Sequence, residues 1–216
     1  MKLFFDPAKH WPRWSLWLLW LLPLLPLLFE TDLTALIWLD STAVILLVCR
    51  SARHSVFQMI YKNWTKSLVI GLVLGRFVGL VANPAIDMLA EYVTGTKIDL
   101  SQFSDVQGDA GAYIELLIVA MIFGGVIEEI AFRGFFIGWG IELFGKNAAI
   151  PLVAISSIAF AIGHLYQNAA GGLSTGLFAI LLGALYLLLN RKLFPVMLVH
   201  AVSNFWGVTE IYLSGT

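Results

Sequence analysis

The feature that most constrains this chain is a succession of long apolar runs separated by short polar segments. Of its 216 residues, 59% are hydrophobic and 12% are charged, and the mean hydropathy is +0.85. A soluble domain is about 45–50% apolar and about 25% charged. A water-soluble core of this size would have too little polar surface to cover it, so the composition predicts an integral membrane protein.

The apolar runs predict an all-α polytopic transmembrane helix bundle of about seven to eight helices. A spanning helix needs about 20 mostly apolar residues. With that length the sequence predicts seven spans: Trp14–Phe29, Leu33–Cys49, Leu68–Val81, Ala112–Trp139, Ala148–His164, Leu173–Leu189 and Phe194–Tyr212. An eighth, short or interfacial helix is predicted at Ser55–Lys66 or Pro84–Thr94. No internal repeat is visible, so residues 1–216 are interpreted as one transmembrane domain.

Lysine and arginine are concentrated in alternate connections between these spans. The basic residues of the N-terminal arm and of the connections after spans two, four and six are Lys2, Lys9, Arg13, Arg50, Arg53, Lys62, Lys66, Lys146, Arg191 and Lys192. The other connections are acidic and contain Lys97 as their one base. Because basic loops stay on the cytoplasmic side, this pattern predicts a cytoplasmic N-terminus and an outer C-terminus.

The same pattern assigns the longest polar stretch, residues 95–110, to the outer side. It is interpreted as an exterior loop that is either a plain connector or a gate for substrate. The single cysteine, Cys49, can form neither an intramolecular disulfide nor a thiolate zinc site. No basic tract indicates nucleic acid as a partner.

Two adjacent glutamates, Glu128 and Glu129, lie inside one of the most apolar stretches of the chain. Ionisable side chains at membrane depth are rare and by default mark a functional site. Glu129 and Arg133 are four residues apart with the acid first, so they share a helix face and can pair. Glu128 is rotated from Glu129 by about 100°. The spacing predicts that Arg133 neutralises one carboxylate while the other points elsewhere; the alternative is a helix end with solvated charges.

Three further polar residues lie in or at the end of apolar spans: His164, His200 and Asn204. Taken singly, they are explained as a helix-end residue and a polar pair that joins helices. Together with a carboxylate they can activate water, since a glutamate accepts the water's proton and later gives it to the leaving amine. A histidine or an amide can donate to the oxyanion. Zinc would use the same residue types, but the His-Glu-x-x-His motif is absent. Only two histidines lie in the apolar spans, so a metal site would have to use Glu128 or Glu129 as a ligand.

Three sequence patterns resemble a known family. In chain order they are Glu128-Glu129-x-x-x-Arg133, Phe160-x-x-x-His164 and His200-x-x-x-Asn204. They resemble the motifs of the CAAX-protease and bacteriocin-processing (CPBP, or Abi) family of intramembrane proteases. The resemblance covers residues 66–212 as a catalytic core and leaves the N-terminal helices of residues 1–65 outside the motif region.

The resemblance implies an intramembrane endopeptidase with a glutamate-centred site that opens toward the cytoplasmic side. It implies that Glu128 is the general base acting on water and that His164 lies beside it. It implies that His200 and Asn204 stabilise the oxyanion. The supporting residues it implies are Glu129, Arg133 and Phe160.

The expected substrate is a peptide bond in a membrane-associated or lipid-anchored protein or peptide. We expect no cofactor, with zinc as the alternative, and partners limited to that substrate and the lipid bilayer. The family resemblance places the protein in a bacterial or archaeal cell membrane. Two competing functions are a non-proteolytic scaffold or immunity protein of the same fold and a proton-coupled transporter, although a transporter would predict internal repeats.

The predicted topology conflicts with the predicted site in one respect. The span boundaries put His164 near the outer end of span five, whereas Glu128 lies well inside span four. These residues meet only if a helix is broken, tilted or displaced, and the glycines around the glutamates provide places for that.

Overall fold

The computed structural model describes residues 11–28, 34–59 and 63–215, and it contains helices and no strand within these residues. The helices are α1 (Arg13–Leu21, continued by a 3₁₀ turn over Leu22–Leu28), α2 (Thr34–Val48), α3 (Arg50–Val56), α4 (Trp64–Thr94), α5 (Ala110–Phe144), α6 (Ala149–Gly163), α7 (Asn168–Leu188) and α8 (Leu193–Ser214). The predicted all-α transmembrane bundle is therefore confirmed as a fold class.

Within the described residues, four helical stretches are long and apolar enough to cross a membrane, whereas the sequence predicts seven spans. They are α4, α5, α6 with the 3₁₀ turn before it (Lys146–Gly163) and α7 with the 3₁₀ turn before it (Leu165–Leu188). The first two segments are helical close to their predicted bounds, with 9 α-helical and 7 3₁₀-helical residues in the first and 15 in the second, but neither is long enough to cross a membrane alone. Helix α8 is long enough to cross a membrane at 22 residues, but its polar side chains lower its mean hydropathy, so it is not counted among the four. The predicted residues that lie outside the described part are Lys2, Lys9, Phe29, Leu33 and Lys62. The orientation of the N-terminus stays a prediction.

Helix α4 is longer than the span predicted at Leu68–Val81. It is α-helical over Trp64–Phe77, forms a wider π-helical turn over Val78–Ala82 and is α-helical again over Asn83–Thr94. The helix predicted separately at Pro84–Thr94 is therefore the last part of α4. The helix stops at Gly95, whose φ of 70° suits glycine and closes the C-terminal turn.

Helix α5 changes its winding where it carries the glutamates. It is α-helical over Ala110–Val119, π-helical over Ala120–Trp139 and α-helical over Gly140–Phe144. π-helical turns are rare and are often found at functional sites. Asp109 caps the start of the helix by accepting hydrogen bonds from two backbone N–H groups.

The loop predicted at residues 95–110 is tied to the ends of other helices. The Asp99 N–H donates to the Gln167 carbonyl at 3.3 Å, and the Gly108 N–H donates to the Tyr212 carbonyl at 3.1 Å. Hydrogen bonds from Ser101 hold the pKa of the exposed Asp99 carboxyl below its usual value. The end of α4, the start of α5, the α6–α7 turn and the end of α8 therefore meet at one end of the bundle.

The length of α6 removes the conflict over depth. Glu129 lies about four helical turns before the end of α5, and His164 lies about four turns after the start of α6. A short connection joins these two helix ends. Both residues therefore lie at a similar distance from the α5–α6 connection. The predicted mismatch in depth was wrong because it compared distances from opposite ends of the bundle.

Three glycines at four-residue spacing on α4 allow α8 to approach closely. A β-carbon at Gly71, Gly75 or Gly79 would lie 2.5 to 2.8 Å from a side-chain atom of α8. Small residues at this spacing let helix backbones pack against each other in membranes. Since α8 carries His200 and Asn204, this stripe helps to set their position. The glycine spacing is visible in the sequence, but the predicted spans rest on apolar run length alone.

We expect Gly75→Ala to lower the free energy of unfolding by about 1–3 kcal/mol, because the new methyl group overpacks the α4–α8 contact. Its β-carbon would lie 2.7 Å from Val202 Cβ and 3.1 Å from Val199 Cα. Gly207→Ala is the matched control, since nothing lies within 4 Å of that position. Unfolding of both variants in detergent micelles measures the difference. Equal stability would contradict the assigned contact.

Candidate active site

Glu129 is the centre of a buried polar network. Its side chain is 0% exposed. Its Oε1 atom accepts hydrogen bonds from Arg133 Nη1 at 2.9 Å and from His200 Nδ1 at 2.8 Å. The predicted Glu129–Arg133 pair is confirmed, and the bond to His200 on α8 adds a partner that the helix spacing does not predict.

Arg133 extends this network to two more helices. Its Nη2 atom donates to the Ala179 carbonyl of α7 at 3.1 Å. Its guanidinium carbon lies 5.2 Å from the ring centre of Phe160 on α6 and 5.9 Å from that of Phe132 on α5. A desolvated cation over an aromatic face is stabilised by the ring. The side chain therefore joins α5, α6 and α7 at one point.

The contact with Glu129 determines which nitrogen of His200 is free. A carboxylate only accepts, so Nδ1 carries the hydrogen that it donates. Nε2 makes no hydrogen bond to any described residue and is an acceptor when the ring is neutral. His200 is 3% exposed and packs edge-to-face on Phe178, with ring centres 5.0 Å apart.

Asn204 and His200 meet α5 at Gly124. A β-carbon there would lie 2.5 Å from Asn204 Nδ2 and 3.5 Å from His200 Nε2. The glycine therefore makes room for both polar side chains. Asn204 Nδ2 donates to the Ala120 carbonyl at 2.8 Å, which leaves one of its two amide hydrogens free.

His164 is half-buried at the end of α6. Its Nδ1 donates to the carbonyl of Phe160 at 2.8 Å, so Nε2 is again the free nitrogen. The imidazole stacks on the Phe160 ring with centres 4.4 Å apart and an interplanar angle of 23°. The motif residue Phe160 thus supports both the guanidinium of Arg133 and the ring of His164.

Glu128 has a different environment from Glu129. It is half-buried and makes no hydrogen bond or ion pair with the residues that the structure describes. Its electrostatic neighbours include Arg133 and Tyr166. The Tyr166 ring centre lies 5.7 Å from that of His164. Glu128 and His164 therefore share Tyr166 as a neighbour, without a direct hydrogen bond between them.

Sequence reasoning missed several groups at this site. Tyr166 follows His164 by two residues, and no spacing rule marks it. Phe178 and the Ala179 carbonyl belong to α7, where the sequence shows only apolar periodicity. Within the described part of the chain, no three histidine, cysteine, aspartate or glutamate side chains are grouped to hold a metal ion.

Residues 110–206, which contain every motif residue, match the family model described as Type II CAAX prenyl endopeptidase Rce1-like. Over these residues the chain is therefore similar to that family of endopeptidases. The resemblance of the three motifs is thereby confirmed, and the matched segment runs from the start of α5 into α8. No curated protein and no solved structure matches the chain. The apolar helices indicate an integral membrane protein, and the matched segment is similar to a family of proteases.

We expect Glu129→Gln to lower the free energy of unfolding by about 3–5 kcal/mol, because it leaves the Arg133 cation buried without its counter-charge. Glu142→Gln is the matched control. The Glu142–Arg191 pair has a similar separation of 2.7 Å, but the glutamate side chain is 51% exposed. Removing that pair should cost no more than about 1 kcal/mol. Denaturation of both variants in micelles tests this, and similar losses would contradict a buried charge network.

Proposed function

We propose that this protein is an intramembrane endopeptidase that hydrolyses a peptide bond with water activated by Glu128. The observation that carries the proposal is the unequal environment of the two glutamates. Glu129 is fully buried and holds two donors on one oxygen. Glu128 is half-buried and has no partner among the described residues. Glu128 is therefore the carboxylate that is free to accept a proton.

The first step is attack of water on the scissile carbonyl carbon. Glu128 takes a proton from the water as its oxygen forms the new bond to carbon. The free Nε2 of His164 can accept a hydrogen bond and orient that water. Tyr166 contacts the His164 ring and lies within electrostatic range of Glu128, which supports a common location for the two residues.

The resulting oxyanion needs hydrogen-bond donors. Asn204 has one free amide hydrogen for this purpose. His200 can donate from Nε2 only as an imidazolium, a form that the Glu129 carboxylate stabilises through Nδ1. When the intermediate collapses, the carbon–nitrogen bond breaks and Glu128 returns its proton to the leaving amine.

The proposed substrate is a membrane-associated or lipid-anchored protein or peptide. This follows from the position of Glu128 and Glu129 on α5, an apolar helix long enough to span a bilayer. A bacterial or archaeal cell membrane as its location is also part of the proposal. Whether the substrate carries a prenyl group is tested by comparing prenylated and unmodified forms of one peptide.

We expect Glu128→Gln to lower kcat by about 10²- to 10⁴-fold while the fold is retained, because the amide cannot accept the water's proton. Glu115→Gln is the matched control, since Glu115 is an exposed glutamate of the same helix. Cleavage of a quenched fluorescent peptide in proteoliposomes measures both variants. Undiminished cleavage by a well-folded Glu128→Gln protein would rule out this base, and no cleavage by the wild-type protein of any membrane-anchored peptide would favour the scaffold function.

We expect hydrolysis to continue in the presence of a strong zinc chelator, because no proposed step uses a metal. The measurement compares initial rates before and after dialysis against the chelator, with an unrelated zinc peptidase as a positive control for metal removal. Loss of activity that added zinc restores would support the zinc alternative, in which a glutamate and histidines are ligands.

A further inference from the structure

Helix α2 contributes to the wall of the candidate site, although it lies outside the segment that matches the family. Its Trp38 is 7% exposed. It belongs to a buried cluster with residues of α5, α6 and α7: Ala131, Phe132, Ala159, Phe160 and Ala179. On the same helix Ile37 is 48% exposed, so α2 buries one side of its surface and leaves the other open.

A continuous row of rings leads from Trp38 to His164. Trp38 contacts Phe132 with ring centres 3.9 Å apart and planes at 71°. Phe132 contacts Phe160 at 4.8 Å and 72°. Phe160 stacks on His164 at 4.4 Å and 23°. Edge-to-face and stacked contacts of this kind fix the orientation of each ring relative to the next.

His164 depends on this row because its own anchors are local. Its Nδ1 bonds to a carbonyl of the same helix, and the face of its ring lies on Phe160. The position of the Phe160 ring therefore sets the direction of the free Nε2. Removing the indole of Trp38 would leave a cavity beside Phe132, into which the neighbouring rings can shift.

The aromatic ring of Trp38, and not its N–H group, makes this contribution. Trp38 Nε1 is buried and has no hydrogen-bond partner among the described residues. A phenylalanine at this position would therefore lose no hydrogen bond and would keep a ring against Phe132. A leucine would supply bulk without a ring.

We propose that Trp38 is a positioning residue for His164, acting through Phe132 and Phe160. The effect of Trp38 on catalysis rests on the proposed function, in which His164 orients water. Its effect on the orientation of the His164 ring is independent of that function and can be measured without a substrate.

The experiment measures the rate at which diethylpyrocarbonate modifies each histidine, by mass spectrometry of the full-length protein in micelles. The reagent acylates a free imidazole nitrogen, which for His164 is Nε2. Exposed His54 is the reference within each sample, and buried His200 reports on the rest of the site. The variants are Trp38→Ala, Trp38→Phe, Trp38→Leu and, as the matched control on the exposed side of α2, Ile37→Ala.

We expect Trp38→Ala to change the His164 rate several-fold relative to His54, with Trp38→Phe near the wild type and Ile37→Ala unchanged. The His200 rate should change less, because the His200 ring lies farther from Phe160, with ring centres 6.4 Å apart. With a cleavable peptide, Trp38→Ala should lower kcat by about 10- to 100-fold with little change in KM, and Trp38→Phe should restore it.

An unchanged His164 rate in a folded Trp38→Ala protein would overturn the proposal. If that variant does not fold, the Trp38→Leu variant provides the test. A wild-type rate of His164 modification with leucine would show that side-chain bulk alone is sufficient, and it would also overturn the proposal. A changed His164 rate in Trp38→Ala without any peptidase activity in the wild type would uphold the positioning and reject the proposed function.

Discussion

The structure depends on one buried ion pair, that of Glu129 and Arg133. In a bilayer an isolated charge is costly, so each of these side chains must keep its partners. Arg133 Nη2 also donates to the Ala179 carbonyl on α7, and Glu129 accepts from His200 on α8. The pair therefore holds three helices in one arrangement. Glu128, in contrast, has no hydrogen-bond partner in the described part of the chain, and the proposed chemistry requires this difference between the two neighbouring glutamates.

The parts of the site that could be predicted from the sequence are those set by helix periodicity. Glu129 and Arg133 pair because residues four apart share a face, and the structure has this pair. His200 and Asn204 have the same spacing, and both meet α5 at Gly124. The fold class was predictable for a similar reason, since apolar run length reports on spanning helices without any knowledge of contacts.

The remaining features depend on contacts between helices, which periodicity does not encode. Residue spacing does not predict the hydrogen bond from His200 to Glu129 or the ring contact between Trp38 and Phe132. The predicted depths of Glu128 and His164 in the bundle disagreed because one residue was placed by its distance from the start of its helix and the other by its distance from the end. The first two segments are helical close to the predicted bounds, but neither reaches the length of about 20 residues that a spanning helix needs. The four-residue spacing of the glycines on α4 predicts close packing of a helix there, but it does not identify α8 as that helix.

The short α6 has a consequence for how such a chain can vary. His164 reaches the depth of the glutamates because about four turns separate it from the start of its helix. Deleting one residue within α6 would rotate the imidazole by about 100° and displace it by about 1.5 Å along the axis. Point substitutions on the outer surface of α6 are tolerable, but insertions and deletions are not. Changes of chain length should therefore accumulate in the connections on either side of this helix.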